Sequence, residues 1–362
     1  MKILEVIPTL HFPGGAQTFV ASLATSFSKV GNISVDILSL YKERGLINEE
    51  LEQKKIRIHY LNKKPGLDLR ASRDFKKIVE RLKPDVIHVH LASIVTLFFS
   101  GLLFKRKTNY RVFYTFHTLA SKDTKKIATL LLKILFKNNL VIPIGISDFV
   151  SITIKERFGL RDVSTIYNGI DTSRYACDIE LSRRSRDFIH VGSFTNVKNH
   201  RFLIESFFDL IKQCPNSNLT LVGDGPLFES VKERVSFLKL DNHVSFVGIR
   251  NDVNVLLREH KFFLLPSLYE GNPISILEAM AAGLPVIASK TGGIVDIIDN
   301  QKNGFLFPVN DKDEFVNHMK YLLDNPGVSQ TISLENMSAS RRFDIAYTTK
   351  QHLNLFAQHI KK

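Results

Sequence analysis

The sequence predicts an α/β fold with two doubly wound domains. At 362 residues the chain exceeds what one hydrophobic core usually serves. Strand-like runs alternate with helical patterns in two series, and each series has its own first strand and glycine turn. These runs are nearly continuous in apolar and β-branched residues, which indicates parallel strands buried on both faces of a sheet.

The first series begins at the N-terminus with the strand KILEVIPTL, followed by a helix, AQTFVASLATSFSKV, that ends at Gly31. Further strands are predicted at SVDILSL, PDVIHVH, RVFYTFHT and LVIPIGIS. Turn residues cluster in IYNGIDTSRY (166–175), and we therefore assign residues 1–170 to a first domain.

The second series begins at DFIHVGSF (187–194) and defines a domain over residues 171–344. Its other strands are predicted at NLTLVGDG, HVSFVG, KFFLLPS, LPVIAS and GFLFPV, most of them separated by helical patterns such as HRFLIESFFDLIKQC. Ligands of doubly wound sheets bind beyond the carboxyl ends of the strands. Two such domains facing each other are therefore expected to enclose a cleft.

Charge and cysteine content restrict the class of protein. Residues 1–170 carry 27 Lys and Arg against 14 Asp and Glu, whereas residues 171–362 carry 22 of each, so the net charge of +13 lies in the first half. This predicts an anionic partner for that half: nucleic acid, an anionic membrane or a phosphorylated substrate. The two cysteines form no disulfide or metal framework, and no stretch reads as a signal peptide or membrane span. An intracellular protein is expected.

Three motifs carry candidate phosphate- or sugar-binding residues. Gly14-Gly15 opens a helix, where backbone N–H groups and the helix dipole attract a phosphate, although a plain tight turn explains the pair as well. Lys198, in VGSFTNVKNH, lies between a strand and a helix and can neutralise a diphosphate leaving group, although a solvated loop lysine explains this stretch as well. His117, in YTFHT, lies at the carboxyl end of a buried strand, where a functional role and a purely structural one are both open. Neither GGAQ nor VGDGP has the nicotinamide-binding spacing, which argues against a dehydrogenase.

Two glutamates, Glu270 and Glu278, flank the predicted start of a helix in SLYEGNPISILEAMAAGLPVIASKTGG (267–293). The helix begins at about Ile274, and the unpaired N–H groups of its first turn can hold a phosphate. Glu270 then lies where the sugar attached to that phosphate would be. Glu278, about one turn into the helix, is placed to accept hydrogen bonds from a ribose diol. The arrangement predicts a nucleotide-sugar site.

At this point the sequence resembles a known family. EGNPISILE is similar to the Glu-x7-Glu signature of the retaining glycosyltransferases of family 4, which have the GT-B fold of two facing Rossmann-like domains with a cleft between them. The resemblance extends to GGAQ, TFHT, YNGID, VGSFTNVKNH, LVGDGP, FVGIRNDV and EAMAAGLPVIASKTGG, and so covers almost the whole chain in the family's order. It also implies that a C-terminal helix, at about 345–362, crosses back onto the first domain.

The resemblance implies roles for residues of the second domain. Glu270 contacts the donor sugar, and Glu278 binds the ribose. Lys198 stabilises the departing diphosphate. The backbone site for the sugar and phosphate is formed by four consecutive residues, Gly271, Asn272, Pro273 and Ile274.

It also implies three further contacts with the donor. His117 lies beside the transferred sugar, and Gly15 approaches the diphosphate from the first domain. The segment Gly248-Ile249-Arg250 faces the base. No metal ion or cofactor is required, and the one Asp-x-Asp, DKD (311–313), reads more simply as a helix N-cap pair.

The sequence departs from the family pattern at two positions. Ser193 stands where many members have an arginine, so one of two phosphate-binding cations is missing unless Arg201 or another residue replaces it. Gln17 stands where an acid is frequent, and its role stays open.

Basic residues concentrate between Lys105 and Lys137, a segment that contains nine of them and a single acid, Asp123. As a helix, KKIATLLLKILFK (125–137) gathers Lys125, Lys126, Lys133 and Lys137 on a narrow face, with Ile127, Leu130, Leu131, Ile134 and Leu135 away from it. Such a helix can lie on an anionic membrane, although a packed helix with a solvated lysine face is the alternative.

These observations together predict a retaining glycosyltransferase that uses a nucleotide sugar, a UDP-sugar favoured over a GDP-sugar. The acceptor is expected to be a lipid-linked saccharide of surface polysaccharide synthesis, at the inner face of the plasma membrane. A non-hydrolysing sugar-nucleotide epimerase and a non-catalytic sugar-nucleotide-binding protein are the alternatives. Nucleic-acid binding is disfavoured because no known module or interleaved aromatics accompany the basic half.

Overall fold

A computed structural model describes residues 1–11, 14–91, 93–104, 109–123 and 126–360. Within these ranges strands and helices alternate along most of the chain, as the sequence predicts. The strands are β1 Lys2–Ile7, β2 Ser34–Ser39, β3 Arg57–Tyr60, β4 Val86–His90, β5 Arg111–Phe116, β6 Ile142–Gly145, β7 Ser164–Thr165, β8 Arg186–Val191, β9 Leu219–Val222, β10 Val244–Phe246, β11 His260–Leu265, β12 Val286–Ser289 and β13 Gly304–Phe307.

The helices cover the segments between these strands and the C-terminal region. They are α1 Gly15–Ser28, α2 Leu46–Gln53, α3 Leu69–Leu82, α4 Ser93–Phe99, α5 Ala120–Asp123, α6 Lys126–Lys137, α7 Asp148–Phe158, α8 Thr172–Tyr175, α9 His200–Ile211, α10 Phe228–Phe237, α11 Val253–Glu259, α12 Ile274–Ala281, α13 Lys312–Asp324, α14 Pro326–Ser340 and α15 Ile345–Ile360. No helix of the described part of the chain is long and apolar enough to cross a membrane.

The first sheet has seven parallel strands in the order β3-β2-β1-β4-β5-β6-β7. Strand β1 lies in the interior of the sheet, and its residue Val6 lies opposite Leu38 of β2 and Val89 of β4. The strand order reverses between β1 and β4, which is where ligands of such sheets bind. Strands β3 and β7 were not predicted, because β3 is short and partly exposed and β7 has only two residues.

The second sheet has six parallel strands in the order β10-β9-β8-β11-β12-β13. Phe188 of the central strand β8 lies opposite Leu219 of β9 and Phe262 of β11. Every strand of this sheet coincides with a predicted one. The α/β fold class with two doubly wound domains is therefore confirmed.

The chain divides into two compact units, one formed by residues 1–169 and 345–362 and the other by residues 170–344. Helix α15 belongs to the first unit, where the ring of Phe356 packs against Phe27 of α1 and Phe113 of β5. Each unit has its own apolar core around its sheet.

Candidate active site

Three loops at the carboxyl end of the second sheet are tied together through their backbones. The amide of Gly192, after β8, donates to the carbonyl of Val222 at 3.0 Å, and the amide of Gly223 donates to Gly248 at 2.8 Å. Gly223 has a φ of +133°, and a Cβ there would lie 2.1 Å from the carbonyl oxygen of Gly192. Only glycine fits this contact. The VGDGP motif therefore braces the loop that leads to Lys198.

Lys198 and Glu270 form an ion pair in the structure. The Nζ of Lys198 lies 2.6 Å from Oε1 of Glu270, and the hydroxyl of Ser267 donates to the same oxygen at 2.7 Å. A backbone hydrogen bond of 2.8 Å from Leu268 to Val197 joins the two loops. Both charged side chains are largely buried, at 17% and 13% exposure. A cation suited to a leaving phosphate thus lies directly beside the carboxylate predicted to contact the sugar.

The backbone of Glu270 is fixed by the TGG segment, which sequence reasoning did not assign a role. The amide of Gly293 donates to the carbonyl of Glu270 at 3.0 Å. Gly292 has a φ of +54°, and a Cβ at this position would lie 2.1 Å from the same carbonyl oxygen. Two glycines in sequence after a strand were the available signal, since close backbone approach needs this residue type.

Helix α12 begins at Ile274, as predicted, with Pro273 at its N-cap and no side chain capping the first turn. Gly271 and Asn272, which precede it, are buried. The N–H groups of a first turn have no partner within the helix and attract anions. The structure therefore brings the predicted phosphate-binding turn into the same segment as Glu270.

Glu278 lies within α12 and is buried, with 8% exposure. The hydroxyl of Tyr175, at the end of α8, donates to its Oε1 at 2.6 Å. Burial raises the pKa of Glu278 from its ordinary 4.5 to about 7, although Tyr175 and Arg174 act in the opposite direction. Burial and the nearby Glu278 also hold the pKa of Tyr175 well above its usual range. This carboxyl group already accepts a hydroxyl, which is the contact predicted for it with a ribose.

Three further residues of the second unit that the sequence analysis named are exposed, Arg250, Ser193 and Arg201. Arg250 is paired with Asp252 through two contacts of 2.6 and 2.7 Å. Ser193 is exposed, and Arg201, 79% exposed, pairs with Glu205 on its own helix. In DKD, Asp311 accepts from the amide of Glu314 at 3.0 Å, which confirms the predicted N-cap.

In the first unit, His117 follows β5 at its carboxyl end and Gly15 is the first residue of α1. The His117 ring is half-buried, and its Nε2 lies 2.9 Å from Nδ1 of His90 on β4. Burial, together with the neighbouring His90, holds the pKa of His117 well below its usual range. His117 is therefore neutral near pH 7.

The predicted basic face of α6 is only partly described. Lys125 lies outside the described residues, and Lys126 begins the helix, while Lys133 and Lys137 are exposed. The prediction that the apolar residues lie away from the lysines is wrong for two of them, because Leu130 is 62% and Ile134 45% exposed. At 3.6 residues per turn both fall on or beside the lysine stripe. The buried face includes Leu135, as predicted, together with Leu132 and Phe136.

Comparisons with known proteins identify the family of the chain. Residues 13–174 match the family model "Glycosyltransferase Family 4" and residues 178–340 match "Glycosyl transferases group 1". A capsular polysaccharide biosynthesis glycosyltransferase, CapH, of Staphylococcus aureus is 30% identical over 269 residues, which is 68% of this chain and 70% of CapH. The chain therefore belongs to the glycosyltransferase family that these two models describe.

Another relative is the Escherichia coli UDP-Gal:alpha-D-GlcNAc-diphosphoundecaprenol alpha-1,3-galactosyltransferase, 28% identical over 331 residues, or 83% of each chain. Among solved structures, Anabaena HepE in complex with UDP superimposes with a TM-score of 0.82 at 22% identity, covering 99% of this chain and 100% of HepE. With two parallel-sheet domains and such neighbours, the protein has the GT-B fold.

Proposed function

We propose that this glycosyltransferase moves a sugar, with retention of its anomeric configuration, from a nucleoside diphosphate to an acceptor. The donor is a UDP-sugar rather than a GDP-sugar, and the acceptor a lipid-linked saccharide of surface polysaccharide synthesis. The observation that carries the proposal is the Lys198–Glu270 pair, 2.6 Å apart, in the segment that precedes the uncapped start of α12.

The pair suits the charge separation of sugar transfer. When the bond between the anomeric carbon and the phosphate oxygen breaks, its electrons go to the diphosphate and positive charge develops on the sugar ring. Lys198 and the N-terminus of α12 stabilise the negative charge, while the carboxylate of Glu270 contacts the sugar. Lys198 moves from Glu270 towards the phosphate when the donor binds, and Ser267 keeps Glu270 in place.

Each of the other predicted residues has a task in this scheme. Glu278 accepts from the ribose diol, and Arg250, with the segment before it, faces the base. His117 contacts the transferred sugar, and Gly15 lets the backbone approach the diphosphate. No metal ion takes part, because the cationic side chain and the helix terminus supply the positive charge.

The names of the relatives support the choice of donor and acceptor. The Escherichia coli relative is named for a UDP-Gal donor and a diphosphoundecaprenol-linked acceptor, and CapH for capsular polysaccharide biosynthesis. HepE was crystallised with UDP. Of these names, that of the Escherichia coli relative states both parts of the proposed transfer, a UDP-sugar donor and a lipid-linked saccharide acceptor.

A lipid-linked acceptor requires access to a membrane, and we assign this role to α6. Its exposed stripe places Leu130 and Ile134 beside Lys133 and Lys137. Apolar side chains flanked by lysines favour the surface of an anionic bilayer, here the inner face of the plasma membrane. Co-sedimentation with vesicles of phosphatidylglycerol and phosphatidylcholine tests this assignment.

The wild-type protein is expected to pellet with these vesicles at low salt, and a Lys133→Glu/Lys137→Glu variant is expected to remain in solution. A Lys29→Glu/Lys232→Glu variant, which makes the same change of charge at exposed positions elsewhere, is the control. Equal pelleting of all three proteins would reject the α6 surface as the membrane contact.

The transfer itself is tested in two stages. A panel of UDP-, GDP- and ADP-sugars is screened for thermal stabilisation, and the stabilising donor is assayed with lipid-linked saccharides. A UDP-sugar is expected to stabilise the protein. NMR of the product is expected to show the same anomeric configuration as that of the donor. Epimerised nucleotide sugar without acceptor, or an inverted product, contradicts the proposal.

A further inference from the structure

Strand β1 carries a glutamate at a position where an apolar residue is expected. Glu5 lies opposite His88 in the register of β1 and β4, and His90 is the next residue of β4 on that face. All three side chains have 0% exposure. Buried polar groups of this kind must satisfy one another, because water cannot reach them. The proposed function gives Glu5 no task.

Hydrogen bonds connect Glu5 to the candidate site in two steps. The Nε2 of His90 lies 2.6 Å from a carboxylate oxygen of Glu5, and Nδ1 of the same ring lies 2.9 Å from Nε2 of His117. A side branch runs through His88, whose Nδ1 is 3.1 Å from Glu5 and whose Nε2 is 2.7 Å from the hydroxyl of Thr115.

The charge state of Glu5 fixes the direction of these bonds. Burial alone would raise the pKa of Glu5, but His88 and His90 together lower it to about 2. The carboxylate is therefore ionised near pH 7 and can only accept, so that both rings donate to it. Burial lowers the pKa of His90 to about 4, with His88 adding to the effect. His90 is then neutral, and its other nitrogen must accept.

It follows that His117 donates from Nε2, because His90 accepts at Nδ1. A neutral imidazole has one N–H, so Nδ1 of His117 carries a lone pair. Among the described residues, this nitrogen has no hydrogen-bond partner. The ring is held edge-on against Phe19, with the ring centroids 5.8 Å apart.

We propose that Glu5, acting through His90, is a positioning residue that holds His117 with Nδ1 free to accept a hydrogen bond from a hydroxyl of the donor sugar. The inference rests on the proposed function, since a sugar beside His117 is what gives this acceptor a task. A neutral acceptor also avoids placing a cation next to the positive charge that develops on the sugar.

Glu5, His88 and His90 also offer ligand atoms within 4.8 Å of one another, a pattern that a metal ion could use. The separation of 2.6 Å between Glu5 and His90 is that of a charge-assisted hydrogen bond. Ligands of a tetrahedral ion at 2.0–2.1 Å stand about 3.3 Å apart, which this contact does not match. Protons rather than a metal ion therefore account for the cluster.

The wild-type protein allows a direct test by ¹⁵N–¹H correlation NMR of histidine side chains at pH 7.5. His88 is expected to carry its proton on Nδ1, whereas His90 and His117 carry theirs on Nε2. A proton on Nδ1 of His117, or stoichiometric metal found by elemental analysis of the purified protein, overturns the inference. This measurement needs no variant and no substrate.

A pair of variants tests the effect on catalysis. In Glu5→Gln alone, the amide can turn its NH₂ towards His88, because the hydroxyl of Thr115 accepts as well as donates. Adding Thr115→Val removes the hydroxyl that would accept from His88, so that the NH₂ of Gln at position 5 is directed to His90 instead. His90 then accepts from this NH₂ and donates to His117, which reverses the direction of both hydrogen bonds. The single Thr115→Val variant is the matched control, since it keeps the hydrogen bonds from His90 to Glu5 and from His117 to His90.

The double variant is expected to show His117 protonated on Nδ1, with kcat at least about tenfold below that of Thr115→Val. The KM for the acceptor is expected to stay the same. An unchanged His117 tautomer, or an unchanged kcat despite inversion, overturns the inference. If neither variant folds, the wild-type spectrum still decides. Absence of transfer in the wild type counts against the proposed function alone, because the tautomers do not depend on it.

Discussion

Each unit of the molecule buries a glutamate, and the two carboxyl groups have opposite acidities. Glu5, in the first unit, has a pKa lowered to about 2, whereas the pKa of Glu278, in the second, is raised to about 7. Both have 8% exposure or less. Burial raises the pKa in both cases, so the difference comes from the neighbouring groups: two ring N–H donors for Glu5 and one phenol hydroxyl for Glu278.

The contrast shows two ways of holding an acid in a transferase of this fold. In the first unit the carboxylate is fully satisfied and rigid, which suits a residue that orients another one. In the second unit Glu278 has one modest partner and Glu270 one exchangeable cation, Lys198. In the proposed function both groups take up a ligand, and these contacts are ones that a ligand can replace.

The largest expected effect is a difference in the stability lost when each glutamate is replaced by leucine. Glu5→Leu leaves two buried ring N–H groups without an acceptor and is expected to cost about 3–5 kcal/mol of unfolding free energy. Glu278→Leu leaves only the hydroxyl of Tyr175 unpaired and is expected to cost about 1–2 kcal/mol. Urea unfolding followed by circular dichroism at pH 7 measures both. Equal losses would remove the distinction.

Gly292→Ala should disturb the second unit through the backbone of Glu270. The new Cβ meets the Glu270 carbonyl at a positive φ, so we expect a loss of about 1–3 kcal/mol and a fall in kcat. Gly327→Ala is the control, because its Cβ has open space within α14. Wild-type transfer by Gly292→Ala, at unchanged stability, would show that this contact does not position Glu270.

The dependence of stability on pH sharpens the comparison further. The folded-state pKa of Glu278 is raised from 4.5 to about 7, so the stability it contributes is present below pH 4.5 and lost as pH rises through 7. For Glu5 the sign is opposite: its contribution is present above pH 4.5 and lost as pH falls towards 2.

Relative to wild type, Glu278→Gln is therefore expected to gain more than about 1 kcal/mol of unfolding free energy between pH 5 and pH 8. Parallel urea titrations of the two proteins at several pH values measure this difference. A difference that stays constant over the range would mean that Glu278 is ionised in the folded protein, as Glu5 is.

The smallest expected effect is that of Tyr175→Phe. Loss of the hydrogen bond to Glu278 is expected to cost about 1 kcal/mol, because the carboxyl group loses its donor and no charge is left unpaired. The pKa of Glu278, followed by ¹³C NMR of labelled glutamate, is expected to rise further. A lower pKa would mean that Tyr175 opposes ionisation of Glu278.

Local patterns in the sequence accounted for much of the fold and part of the site. Continuous apolar runs predicted most strands, and the turn before ISILEAMA predicted the start of α12 at Ile274. These features depend on neighbouring residues. Glu270 and Glu278 were found for the same reason, since their spacing places both about the start of one helix.

Contacts between distant segments could not be predicted in this way. The partner of Glu278, Tyr175, is 103 residues away in sequence, and Glu5 is 85 residues from His90. A signal for the second contact did exist: an acid in the strand KILEVI and two histidines at alternate positions of VIHVH. Pairing those strands required knowledge of the sheet order, which the apolar pattern alone does not give.

A crystal structure with a bound, uncleaved UDP-sugar tests the central claim most directly. We expect the diphosphate at the first turn of α12, the ribose hydroxyls on Glu278, and the Nζ of Lys198 moved from Glu270 onto a phosphate oxygen. A donor bound elsewhere, with Lys198 still paired to Glu270, would contradict the account.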